Sequence, residues 1–182
     1  MKKVKLHDKV FRRTIPHAEI VRKIDELADQ LNKQWKGNSQ IPVFVSVLNG
    51  AFMFTAELLK RIDFTCELAF IRLSSYQGTK SSGEVVRIIG LDGHTIHGRD
   101  VVVLEDIVET GNTVEAIHRL LCEQKPRSIA FATLFFKPEA YMKPFKIDHY
   151  AMELPNDFIV GFGLDYDQLG RNLKDVYTLV IE

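Results

Sequence analysis

Cysteine is scarce in this chain: two residues of 182, Cys66 and Cys122. They form no metal-type spacing, so free, buried thiols in a reducing compartment are expected. Net charge is absent too. Lysine plus arginine number 24 and the acids number 24, without the basic excess of a general nucleic-acid binder. No apolar run approaches a membrane span, and the N-terminal MKKVKLHDKV lacks an apolar signal core. A cytoplasmic protein is expected. Internal repeats, low-complexity tracts and linkers are missing, which leaves one domain with ample material for a core. No Gly-x-x-x-x-Gly-Lys-Ser/Thr loop occurs, so any phosphate seat is of another kind.

What is present centres on Val101 to Thr113, VVVLEDIVETGNT. Val101 to Leu104 is an apolar run of the kind buried on both faces of a parallel sheet. Glu105 and Asp106 follow at the strand's carboxyl end, where ligands bind in open α/β sheets. Thr110-Gly111-Asn112-Thr113 makes a small polar turn. Val114, Ala116, Ile117, Leu120 and Leu121 then repeat at helical spacing. A turn entering a helix offers unpaired N–H groups and the positive end of the dipole, an anion seat. The two threonines add hydroxyls, and Gly111 permits close backbone approach. Two adjacent carboxylates repel phosphate but accept from a diol or bind a hydrated cation. By residue type alone the same string also reads as a polar loop with a helix cap. Its full order describes a sugar-phosphate site.

The rest of the chain alternates strands and helices. Residues 1–13 read as a short basic strand or arm, and Pro16 opens an amphipathic helix from Ile20 to Trp35, ended by Lys36-Gly37-Asn38. Pro42 to Leu48 is a second buried strand, with Asn49-Gly50 turning into a helix over about 51–62. Strands follow over 68–73, 85–90, 128–136, 158–162 and 176–181. Ser74 to Gly83 reads as a surface hairpin or as a lid over a site. Glu139 to Tyr150 looks irregular. Lys137, alone at a strand end, reads as a solvated terminus, and Phe158 as core. The alternation implies a mainly parallel α/β sheet flanked by helices.

The Val101–Thr113 string resembles the phosphoribosyl pyrophosphate (PRPP) signature of the type I phosphoribosyltransferases. From Val43 to Leu173 several further segments match one subfamily in order, the hypoxanthine-guanine phosphoribosyltransferases of purine salvage. They are VSVLNGAFMF, Ser75-Tyr76, LEDIVETGNT, Lys137, ELPNDFIVGFGLDY and Arg171. The resemblance implies transfer of the phosphoribosyl group from PRPP to hypoxanthine or guanine, with Mg2+. It implies a small hood built from the chain ends and roughly 138–157, and a homodimer or homotetramer.

The resemblance also assigns roles. Glu105 and Asp106 hold the ribose hydroxyls, directly or through metal, and Thr110, Gly111, Asn112 and Thr113 cradle the 5-phosphate. Leu48, Asn49 and Gly50 approach the pyrophosphate, across a cis Leu48-Asn49 peptide, and Arg171 neutralises it. Asp165 is a magnesium ligand. Glu109 manages the base's imidazole proton. Lys137 donates to the 6-oxo group, which rejects a 6-amino purine. Phe158 stacks on the base and Ile159 meets it through backbone. Ser75 and Tyr76 belong to a lid that excludes water.

Three positions depart from the commoner pattern: Glu109 stands where aspartate is more frequent, and Asn49 and Asn112 where lysine is. Two other readings stay open, a xanthine-preferring phosphoribosyltransferase and a non-catalytic regulator of the same fold that binds PRPP or a nucleotide. Lys137, Phe158, Asp165 and Arg171 favour the enzyme.

Overall fold

Two strands open the chain, β1 (Lys3–Leu6) and β2 (Lys9–Ile15), paired as a tight antiparallel hairpin with His7 at φ 50°. The computed structural model describes residues 2–76, 85–91 and 96–180. Pro16 leads into α1 (His17–Trp35), where its fixed φ and missing N–H cost nothing. The cap comes from the other end of the chain: Asp175 Oδ1 accepts the His17 N–H at 2.9 Å. Ile20, Ile24, Leu27, Leu31 and Trp35 form the buried face of α1. Each such side chain, fully buried, contributes roughly 1.5–3 kcal/mol.

The chain continues through β3 (Val43–Val47), α2 (Phe52–Leu59), β4 (Glu67–Tyr76), β5 (Val85–Ile89) and β6 (Asp100–Val108). Next come α3 (Asn112–Cys122), β7 (Ser128–Phe136), β8 (His149–Glu153), β9 (Ile159–Val160) and β10 (Val176–Leu179). Six strands form the main sheet in the order β5-β4-β3-β6-β7-β8. All its neighbours pair parallel except β4 and β5. Strand parity divides the core between two faces. Phe44, Val102 and Leu104 pack with the α1 residues, while Val43, Val45, Val101 and Val103 pack with Val114, Ile117 and Leu121 of α3. The second sheet is an antiparallel hood of four strands, β1-β2-β10-β9, with Phe11, Val160 and Tyr177 at its centre.

The architecture is the expected parallel sheet flanked by helices, with differences of detail. β6 runs on to Val108, so Glu105 and Asp106 lie within the strand. The second helix stops at Leu59 instead of reaching residue 62, because Arg61 and Ile62 turn on 3₁₀-type bonds to Leu58 and Leu59. His149–Glu153, expected in the hood and with its first two residues irregular, pairs parallel to β7 as an edge of the main sheet. The strands of the hood come from the chain ends and from Ile159–Val160. Neither thiol is fully buried, since Cys66 is half-buried and Cys122 exposed. No helix among the described residues is long and apolar enough to cross a membrane.

Candidate active site

A cavity of about 480 Å³ opens where the carboxyl ends of β3, β4 and β6 meet the loop before β10. Its lining brings together Leu48, Asn49, Gly50, Glu105, Asp106, Glu109, Thr110, Gly111, Asn112, Thr113 and Arg171. One wall is the start of α3. Gly111 sits at its N-cap with φ 84°, a conformation that glycine adopts freely. The close approach expected at Gly111 is to protein: an added Cβ would lie 2.5 Å from the Tyr141 ring and 2.7 Å from Lys143. Those side chains back the turn and leave its other side to the cavity. The first-turn N–H groups of a helix have no intrahelical acceptor, and here they border the cavity.

The floor is carboxylate. Glu105 is buried, and its carboxyl is pushed well above the usual range by burial, with the negative charge of Asp106 adding to it. Burial likewise pushes Asp106 up to about 6, against the Ile107 N–H that its Oδ1 accepts at 2.9 Å and against the positive charge of Arg171. Gly50 packs directly on this carboxyl, since a Cβ there would lie 1.7 Å from Asp106 Oδ2. The Leu48-Asn49 peptide that precedes it is cis.

Among the described residues no three His, Cys, Asp or Glu side chains gather into a metal cage. Two adjacent carboxylates, one buried and one partly exposed, suit a cation that takes its other ligands from substrate oxygens and water, the habit of magnesium. Asp165 stands apart from them. Its Oδ1 pairs with Arg171 Nη2 at 2.6 Å and its Oδ2 accepts the Gln168 N–H at 2.7 Å. Arg171 also donates from Nη1 to the Gly163 carbonyl at 2.8 Å, which aims the guanidinium at the cavity edge.

A strand, a turn on a helix start and two acids at one sheet end have the layout expected of a sugar-phosphate site, and comparison with known proteins shows the family. The family model described as phosphoribosyl transferase domain matches residues 15–167. The chain belongs to the phosphoribosyltransferase family. A hypoxanthine-guanine phosphoribosyltransferase of Streptococcus thermophilus is 45% identical over 162 residues, 88% of each chain. One of Lactococcus lactis is 40% identical over 166 residues, 91% of this chain and 88% of that one. The crystal structure of a hypoxanthine phosphoribosyltransferase from Staphylococcus aureus superimposes with a TM-score of 0.83 at 36% identity, covering 93% of this chain and 91% of that one.

In this phosphoribosyltransferase a second group of residues lies beyond the cavity wall, joined to it through Glu109. Lys137 is only 2% exposed, the reverse of a solvated terminus. Its backbone N–H continues the sheet to the Val108 carbonyl at 2.9 Å, and its Nζ donates to the Asp157 carbonyl at 2.7 Å and to the Glu109 carboxylate. Phe158, read from its type as core, is 45% exposed, with its ring 5.9 Å from that of Tyr166 and 6.1 Å from that of Phe11. Ile159 is buried in β9 against Thr178 of β10. Lys137, Phe158, Ile159 and Asp165 do not line the cavity. Ser75 and Tyr76 end β4, their backbones paired with Val86 and Val85. The rest of the lid expected over 74–83, from residue 77 on, lies outside the described residues.

Two polar lining residues escaped sequence reasoning, Arg72 and Gln168. Arg72 brings a guanidinium to a cavity whose Asn49 and Asn112 carry no charge. Strand parity signals that a residue of β4 faces out, but nothing local marks this one as a cavity residue. Gln168 sits in the left-handed region at φ 70°, a placement its type does not announce.

Proposed function

We propose that this phosphoribosyltransferase is a purine salvage enzyme that joins hypoxanthine or guanine to PRPP, forming IMP or GMP and releasing pyrophosphate, with Mg2+. One observation carries the base specificity. The Lys137 ammonium and the Glu109 carboxylate stand side by side, a donor next to an acceptor. A 6-oxopurine presents the complement, a carbonyl oxygen beside an imidazole N–H. With two of its three hydrogens given to Glu109 and the Asp157 carbonyl, Lys137 keeps one for the oxo group. Adenine offers an amino group there, donor against donor, and is rejected.

The remaining residues bind and orient. Thr110 to Thr113 take the 5-phosphate, Glu105 and Asp106 accept the ribose hydroxyls, and Leu48, Asn49, Gly50 and Arg171 surround the pyrophosphate. Phe158 presents a half-open ring for stacking, and Ile159 contributes backbone. Ser75 and Tyr76 close over the site and keep water from PRPP. Magnesium would supply charge neutralisation of the leaving pyrophosphate, with Asp165 as its ligand through the lone pairs that Arg171 and Gln168 leave on it, while Glu105 and Asp106 would meet the ribose hydroxyls directly or through a metal. As the anomeric C–O bond to pyrophosphate breaks and a base nitrogen bonds to that carbon, the imidazole proton passes to Glu109. Placement and electrostatics thus supply the catalysis, as suits a cation-like sugar. A cytoplasmic homodimer or homotetramer belongs to the same reading.

The test is nucleotide formation from PRPP and magnesium with hypoxanthine, guanine, xanthine and adenine side by side. IMP and GMP should form and adenine should stay inert. Preference for xanthine would move the assignment to that base. Silence with all four, with magnesium-dependent PRPP binding retained, would replace the enzyme by a regulator.

A further inference from the structure

The loop on the hood side of the cavity holds two consecutive non-glycine residues in the left-handed region, Asp167 at φ 46° and Gln168 at φ 70°. A turn of this kind costs about 1 kcal/mol or more per residue and persists only where its surroundings over-determine it. Part of what determines it is local. Tyr166 and Leu169 exchange backbone hydrogen bonds of 2.9 and 3.1 Å, and the Gln168 N–H reaches Asp165.

The rest arrives from the far end of the chain, at the turn between β1 and β2. His7 Nε2 lies 3.0 Å from the Asp167 carbonyl oxygen. The Tyr166 hydroxyl donates to Asp8 Oδ1 at 2.8 Å, and that hydrogen bond holds the Asp8 carboxyl below its usual range. The Lys9 ammonium stands 4.5 Å from the centroid of the Tyr166 ring and 5.7 Å from that of Phe158. The two turn residues and Lys9, the first residue of β2, therefore grip the loop whose Gln168 and Arg171 line the cavity.

We propose that His7-Asp8-Lys9 is a positioning clamp, anchored on Tyr166, that holds Gln168 and Arg171 in place for the diphosphate group of the substrate. The nature of that ligand rests on the function proposed above; the mechanical coupling does not. Neither Asp8 nor Tyr166 touches the cavity, so both act through the loop. Their contact is solvent-exposed, which limits the effect of its loss to that of one ordinary hydrogen bond.

Tyr166→Phe removes the hydroxyl and keeps the ring, Asp8→Ala removes the acceptor, and Asp8→Asn keeps an acceptor oxygen. In the full chain, Tyr166→Phe and Asp8→Ala should each raise KM for PRPP, and for pyrophosphate in the reverse direction, by about 3- to 10-fold. Turnover and the KM for base should stay within about two-fold of wild type. Asp8→Asn should restore most of the loss, and the double variant should be no worse than the worse single one, as befits one shared contact. Amide hydrogen exchange at 165–171 should quicken in both variants and stay unchanged at 110–113. Unchanged exchange at 165–171 overturns the clamp, and so does a loss that falls equally on KM for base and on turnover. A wild-type chain that forms no nucleotide from any base sinks the proposed function instead. The clamp is then judged by exchange at Gln168 and Arg171 alone, with pyrophosphate and magnesium as the probe: faster exchange that the probe slows supports it, and exchange indifferent to the variants or to the probe overturns it.

Discussion

On the proposed function, the phosphate side of the site is built mainly on one stretch of chain, Glu105 to Thr113, joined by Leu48 to Gly50 and Arg171, whereas the base side takes Glu109 from that stretch, Lys137 from the end of β7 and the Asp157 carbonyl from beyond β8. The first is a strand, a turn and a helix start, whose geometry follows from the order of its residues. The second exists only where β6, β7 and the approach to β9 converge. The two ends meet at Glu109, 49% exposed, paired with an ammonium that is almost wholly buried. A buried cation of this kind depends on partners that the fold must deliver, so the base end should be the more fragile of the two.

Breaking the base end, at Lys137 or at Glu109, should give the largest effects. Lys137→Met leaves the Asp157 carbonyl and the Glu109 carboxylate without their donor, and hydrogen bonds to charged groups are worth about 1.5–3 kcal/mol. Steady-state kinetics should show kcat/KM for hypoxanthine down roughly 10- to 100-fold, with discrimination against adenine relaxed and KM for PRPP little changed. If adenine is refused as firmly as before, another group reads the base. Glu109→Gln tests the junction. It keeps the size of the side chain and removes proton acceptance, so turnover should fall about 100-fold or more while PRPP affinity holds. Equal turnover would take Glu109 out of proton handling.

The phosphate end yields the smallest effect, visible in stability. Burial raises the Glu105 and Asp106 carboxyls above their unfolded values, so the folded chain prefers them protonated. The stability they contribute is complete below the unfolded value of about 4. For Asp106 it is lost as pH rises through about 6. The ligand-free protein should therefore lose on the order of 2 kcal/mol between pH 4 and pH 7 from this group. Asp106→Asn should flatten that part of a Tm-against-pH profile. Profiles that coincide for the two proteins would show that the carboxyl is better solvated than its position between Gly50 and Ile107 implies.

Legibility in the sequence follows the same division. The central strands over 43–47, 100–108 and 128–136 and the buried face of α1 are visible as periodicity, because each residue's burial repeats with its neighbours'. β8 is not, since His149–Glu153 is a half-exposed edge strand whose polar residues carry no clean alternation. Lys137 and Phe158 invert the expectation from residue type. The lysine is buried because Glu109 and Asp157 come to it, and the phenylalanine is half-open because the hairpin turn meets it only in part. Asp165 looks like a metal ligand in the chain, and only the fold adds that its two oxygens also meet Arg171 and the Gln168 N–H, one contact on each.

By itself the sequence determined the α/β alternation, the helix that starts behind Gly111 and the pair of acids towards the carboxyl end of a buried strand. These rest on interactions between residues within a dozen positions of one another, where spacing and conformational preference are enough. Tertiary structure decided that Asp175 caps α1, that Lys137 lies beside Glu109, and that the turn at His7 reaches Tyr166 and Asp167. Each joins segments distant in the chain, and the energy of a buried or strained group depends on which distant partner the packed core brings within a few ångströms.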